Sequence, residues 1–120
     1  MATKRASQNL NGILSKIAKK LANLHNEAVA TYTPLVNDIC NRKATEYEVD
    51  YLLTYLIDFV NEKRMLKLFK KVCRAYLDTY PDIIGYYIIE YYKNYDIEKA
   101  KALGIEIPSY MEDENTDENL

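Results

Sequence analysis

Few residues in this chain could do chemistry, and their spacing argues against it. His25, Cys40 and Cys73 are the only imidazole and the only thiols. Together they could supply three zinc ligands, but zinc sites draw ligands as close pairs so that one turn of backbone presents two at once. None of these three has such a neighbour. Asp58 and Glu62 lie one helical turn apart on an apolar stripe, where paired carboxylates can share a proton or hold a cation. With Lys63 beside them, a polar edge or a helix break is the plainer reading. Gly12, Gly85 and Gly104 stand alone, so no glycine-rich loop can cradle a phosphate, and Ser7, Ser15 and Ser109 sit in no nucleophile motif. The expectation is a protein with no catalytic residue, no metal ligand and no cofactor: not an enzyme.

Residues suited to binding are more prominent. Lys63, Lys67, Lys70 and Arg74 fall within a narrow arc of one amphipathic helix with Arg64 and Lys71 next to it, so six cations can meet one anionic surface. Such a face can contact phosphates by charge, receive an acidic protein, or simply be solvated. The chain also carries 12 tyrosines and no tryptophan. Tyrosine buries a large apolar body but keeps a hydroxyl that needs a partner, which suits interfaces and half-buried faces. The cluster Tyr86, Tyr87, Tyr91, Tyr92 and Tyr95 is the expected aromatic patch for a protein partner, against the plainer alternative of a tyrosine-rich core.

The elements that must position these residues are all helical. Leu10, Leu14, Ile17, Leu21, Leu24 and Ala28 recur at spacings of four and three, a heptad-like seam on a helix from about Ser7 to Ala30. The pattern fits a long core helix, the reading expected here, and equally a coiled coil between chains. Pro34 is expected to end this helix near Tyr32 and, capped by Thr33, to start a short connector through about Asn41 with Leu35, Val36, Ile39 and Cys40 inward. Thr45 and Glu48 form a capping box. From there no glycine or proline intervenes until Pro81, which predicts one long central helix over about 46–79. On it Tyr47, Tyr51, Tyr55 and Phe59 align with Leu66, Phe69, Cys73 and Tyr76 as one apolar stripe, and Val49, Leu52, Leu53, Leu56 and Val60 make a second face. The alternative is a break at Asn61 to Lys63. A further helix runs from Pro81 to Tyr95. A short one capped by Asp96 runs to Leu103, where Gly104 supplies a left-handed stop and Ile105 folds back. Asp96 to Tyr110 superficially matches the first helix and turn of a DNA-binding helix-turn-helix, but Pro108 and the acids Glu112, Asp113 and Glu114 fall in the would-be recognition helix.

These readings give a fold class of all-α: a compact bundle of four to five helices in one domain over 1–111, followed by an acidic tail over 112–120. With 120 residues and 48% hydrophobic content, one core needs no disulfide support. Charge is polarised: residues 1–26 hold five Lys or Arg and no acid, and residues 112–118 hold five acids and no base. The net charge of −2 and a sequence pI of about 5.4 do not suit a dedicated nucleic-acid binder. No stretch reaches the ~18 apolar residues of a spanning helix, and no signal peptide is evident. Two isolated cysteines suit a reducing compartment, so a cytoplasmic protein without a membrane partner is expected.

Lys, Asn, Ile and Tyr together make 45 of the 120 residues, a bias towards A+T-rich codons. By analogy, size and composition resemble those of phage assembly components and small phage-encoded inhibitors, and a phage-encoded chain would sit in the host cytoplasm or the virion. The functional expectation is a non-enzymatic helical interaction or assembly protein, acting on a protein partner or on copies of itself. The alternative is a nucleic-acid-associated protein using the basic helix with Lys16, Lys19 and Lys20.

Overall fold

The computed structural model describes residues 2–108, and all regular structure in that range is helical. The acidic tail lies outside the described residues. Helix α1 spans Ala2–Cys40, α2 Glu46–Leu56, α3 Lys63–Tyr76, α4 Pro81–Tyr95 and α5 Ile97–Ala102, with one 3-10 turn at Ile57–Phe59. The C-terminal part of α1 packs on α3 and α2, α4 crosses α2 and α3, and α5 packs back on α4. Leu53, Leu56, Met65, Ile84, Val36, Val49 and Val72 are the largest fully buried side chains, so every helix from α1 to α4 gives at least one to a common core. The expected all-α bundle is what forms.

Two of the expected boundaries move. Helix α1 does not end at Tyr32; it runs through Pro34 to Cys40 without interruption. A proline inside a helix removes one backbone bond and crowds the carbonyl four residues back, at a cost of ~3 kcal/mol. Here Ala30, whose carbonyl loses its donor, is exposed, and water can take the donor's place. Packing on either side of the proline outweighs the rest: Ala28, Val36 and Ile39 are buried against the same body, and Tyr32 packs against Phe59 with ring centroids 6.1 Å apart.

The central helix, expected to be continuous, is broken between Leu56 and Lys63. Its two halves bury opposite faces. Val49, Leu52, Leu53, Leu56 and Val60 are buried in the first, Met65, Phe69, Val72, Cys73 and Tyr76 in the second, and at 100° per residue these sets point about 170° apart. A straight helix could bury only one of them. Glu62 makes the restart possible: it adopts an extended conformation (φ −91°, ψ 126°), and its carboxylate accepts the Met65 N–H at 3.0 Å as the N-cap of α3.

Other local signals act as expected. The Thr45 hydroxyl accepts the Glu48 N–H at 3.2 Å while the Glu48 carboxylate accepts the Thr45 N–H at 2.7 Å. Pro81 occupies the first turn of α4. Asp96 caps α5, and Gly104 ends it at φ 79°, with Gly104 N–H bonded to the Lys101 carbonyl and Ile105 N–H to that of Ala100.

Tyrosines pin the connections. The Tyr76 hydroxyl accepts the Ala44 N–H at 3.0 Å and lies 2.6 Å from the Ile39 carbonyl and 2.7 Å from that of Arg42, either of which can take its single proton. Tyr80 stacks on Tyr76 and donates to the Ala44 carbonyl at 2.7 Å. The loop between α1 and α2 is thereby fastened to the end of α3.

Outside this body α1 continues alone. At 1.5 Å per residue its 39 residues span about 58 Å, which accounts for the longest dimension of the molecule, 64 Å. The radius of gyration is 19.0 Å, against about 13–14 Å for a compact chain of this length. Residues 9 to 24 of α1 are exposed throughout. No helix among the described residues is long and apolar enough to cross a membrane.

Candidate interaction surfaces

The heptad seam is the largest departure from expectation. Read as the buried edge of a core helix, it instead projects into solvent: Leu10, Ile13, Leu14, Ile17, Leu21 and Leu24 are each 51–58% exposed. Only Ala28 of the six seam residues reaches the core. Leu35, expected to point inward, is 47% exposed and stands seven residues after Ala28, in the same heptad register. The seam therefore extends from Leu10 to Leu35.

At its inner end the seam runs into a groove of about 400 Å³ between α1 and α2. Leu35 and Ile39 form one wall, and Tyr47, Tyr51 and Tyr55 form the other. These three tyrosines, expected in the core, are 74%, 54% and 42% exposed. Their rings pack along the helix at centroid distances of 5.9 and 5.1 Å, and the hydroxyls of Tyr51 and Tyr55 lie 3.4 Å apart. That contact holds the Tyr55 proton above its ordinary value. The choice of face follows from chemistry: α2 had one aliphatic and one tyrosine face, and the aliphatic face has no hydroxyl to satisfy. Arg42 closes one end of the groove with a two-pronged pair to Glu48 at 2.9 and 3.0 Å and a further bond to Asp38 at 3.0 Å. The guanidinium and the Thr45 N–H pull the Glu48 carboxyl down to about 2.

The aromatic patch expected on α4 does not form one surface. Tyr87 is buried, its hydroxyl 2.6 Å from both the Asp50 carboxylate and the Thr54 hydroxyl, and burial and the Asp50 contact push its pKa up to about 12. Tyr91 and Tyr92 are half-buried, Tyr91 against Phe69. Tyr86 and Tyr95 are exposed and edge a shallow cleft of about 720 Å³ with Asp58, Glu90 and Asn94.

All six cations of the expected basic face, Lys63, Arg64, Lys67, Lys70, Lys71 and Arg74, are exposed on α3. Arg64 pairs with Glu62 at 2.8 Å and donates to Asn26, and Lys71 donates to Asn37 at 2.7 Å, so these two fasten α3 to α1. Lys63, Lys67, Lys70 and Arg74 make no ion pair among the described residues.

The residues weighed for chemistry take separate roles. Asp58 is exposed in the 3-10 region, whereas Glu62 is committed to capping α3 and to Arg64, which holds its carboxyl below the ordinary range. No group of three or more His, Cys, Asp or Glu among the described residues is arranged to hold a metal ion. Cys73 is buried, which pushes its thiol up to about 12, and burial raises Cys40 as well. Thiols so protonated are poor nucleophiles.

Sequence reasoning singled out the seam but assigned it to the core, and it placed the tyrosine groove there too. The signals were Leu35 continuing the register and the tyrosine-only face of α2. No family model, no curated protein and no solved structure matches this chain.

Proposed function

We propose that this chain is a non-enzymatic helical interaction or assembly protein. One observation carries the reading: a helix held rigidly at one end by the core projects a periodic row of half-exposed Leu and Ile side chains that leads into a tyrosine-walled groove. Isolated exposed leucines are ordinary, but a contiguous apolar strip of this length is the kind of surface that a partner covers. Two free, protonated thiols suit a reducing compartment such as the cytoplasm. An accessory or structural role of the sort filled by small phage proteins accords with the size and composition.

A second reading rests on Lys63, Lys67, Lys70 and Arg74, which stand unpaired by any described acid along one side of α3. That face suits a polyanion. The two readings differ in their response to salt, since phosphate contacts weaken steeply as salt rises and apolar association does not. Solution mass by light scattering, at low and high salt, with and without random duplex DNA, separates them. Association at both salts, indifferent to DNA, is the expected result. A monomer that joins DNA only at low salt would replace the assembly reading with the nucleic-acid one.

A further inference from the structure

We infer that the partner of the α1 seam is the same seam of a second copy, running antiparallel. This rests on the interaction reading above and names its partner. The argument starts from register. Taking Leu14, Leu21, Ala28 and Leu35 as the a positions and Leu10, Ile17, Leu24 and Thr31 as the d positions places every residue of the row but Ile13, a flanking g position, over nearly four heptads; Ala28 keeps the register while packing in its own core. A row that repeats every 3.5 residues is matched best by another helix, because only a helix of like period keeps contact along the whole length.

The area suffices for a stable pair. Leu10, Ile13, Leu14, Ile17, Leu21, Leu24 and Leu35 are each about half exposed. At roughly 90–100 Å² apiece they present about 630–700 Å² per chain, below but near the ~800 Å² per partner of a standard interface. Contact need not nucleate a helix, since the inner half of α1 is fixed by the core.

Charge selects the direction. In a parallel pair the flanking contacts set Lys20 near His25 of the partner subunit, and Glu27 near Tyr32 of the partner subunit, joining no opposite charges. Turned antiparallel about a point between Ala22 and Asn23, Leu21 faces Leu24 of the partner subunit and Leu14 faces Thr31 of the partner subunit. Leu10 faces Leu35 of the partner subunit, at the mouth of the tyrosine groove. Lys20 then flanks Glu27 of the partner subunit, and by symmetry the pair forms twice. Both side chains are exposed and neither has an ion-pair partner among the described residues. The other cations of this stretch, Lys16 and Lys19, occupy outward c and f positions, so bringing two basic segments together leaves them in solvent.

Charge reversal on the full chain is the test, read as the dimer dissociation constant by sedimentation at low salt. The wild type should sediment as twice the 14.0 kDa chain mass. Lys20→Glu alone and Glu27→Lys alone should each weaken the dimer several-fold, and the double variant should recover most of the loss. Leu21→Glu should give a monomer whose unfolding by far-UV circular dichroism is unchanged, because the residue is exposed on α1 and lies outside the core and the side chains packed on it. Single reversals that do nothing, or a double variant no better than either, would overturn the antiparallel pairing. Association that survives Leu21→Glu would overturn the seam as the interface while leaving an interaction protein that uses another surface. A wild type that stays monomeric throughout overturns self-pairing, and binding of a different protein in the same instrument would then be what keeps the broader reading.

Discussion

Tyr76→Phe removes one oxygen and should be among the costliest conservative changes in the molecule. The hydroxyl accepts the N–H of Ala44, a residue 1% exposed, and donates its proton to the end of α1 or to the loop that follows it. Phenylalanine fills the same space, so no cavity opens and the effect is polar. Leaving a buried N–H unsatisfied costs about 1–3 kcal/mol, and the lost donation adds about 1 kcal/mol. The sum, about 3 kcal/mol, is a large share of the 5–15 kcal/mol by which domains are stable. With a urea slope near 1.5 kcal/mol/M, the midpoint should fall by about 2 M. Urea unfolding followed at 222 nm measures this, with Tyr80→Phe as the control. Tyr80 makes one half-buried bond in the same loop, so its removal should cost about 1 kcal/mol. A Tyr76→Phe variant within 0.5 kcal/mol of wild type, or no worse than Tyr80→Phe, would refute the idea that this hydroxyl holds the α1–α2 loop on α3.

Alkaline titration should expose Tyr87: its folded pKa is pushed up to about 12 against ~10 unfolded, so its contribution is complete below ~pH 10 and is lost as pH rises towards 12. Tyr87→Phe should flatten that part of the stability profile relative to wild type, with Cys73, Cys40 and Tyr55, all raised in the fold, supplying the slope that remains. In acid the sign reverses, because Glu48 is held down to about 2; stability should drop as pH falls below ~4.3, and Arg42→Met should remove much of the drop. Pro34→Ala restores a donor to the Ala30 carbonyl and should stabilise the fold by about 1–2 kcal/mol, less than the full proline penalty because the unfolded chain gains freedom too. A thermal melt decides it, and a lowered midpoint would mean that the proline is better accommodated than its geometry implies. Deleting residues 112–120 should raise affinity for polyanions at low salt if the acidic tail competes for the Lys63 to Arg74 face, and an unchanged affinity would sink that idea.

Local chemistry was legible wherever a few adjacent residues decide the outcome. The Thr45 and Glu48 cap, the Pro81 start and the Gly104 stop all follow from side chains within four positions of the backbone groups they satisfy. Reading failed where distant contacts arbitrate. Nothing near Pro34 says that Val36 and Ile39 will be buried firmly enough to carry a helix through it. Nothing near Asn61 says that α2 and α3 must bury opposite faces; that emerges only when both pack against α1 and α4. The seam was found by its period, but periodicity says that a row will be covered and not by what. Glu62 is the instructive case among the candidate site residues. Its spacing from Asp58 allowed a carboxylate pair, with a polar edge or a helix break as the plainer reading, and its work is to start α3 after the break and hold Arg64.

The anchoring of α1 has a kinetic meaning as well. An isolated helix in water must first close a costly turn, with a nucleation constant of about 10⁻³. In this molecule the turns after Asn26 are closed permanently by Tyr32, Val36 and Ile39 against the core, so the outer helix is a propagation front that never needs to nucleate. Opening proceeds from the free end inward, and Gly12, about 1 kcal/mol poorer than alanine as a helix former, is where that front pauses. Amide exchange and proteolysis should therefore grade smoothly along α1 up to Gly12, step there, and grade again towards Asn26. The chain thus holds a range of helix lengths in rapid equilibrium, whose balance a covering partner would shift.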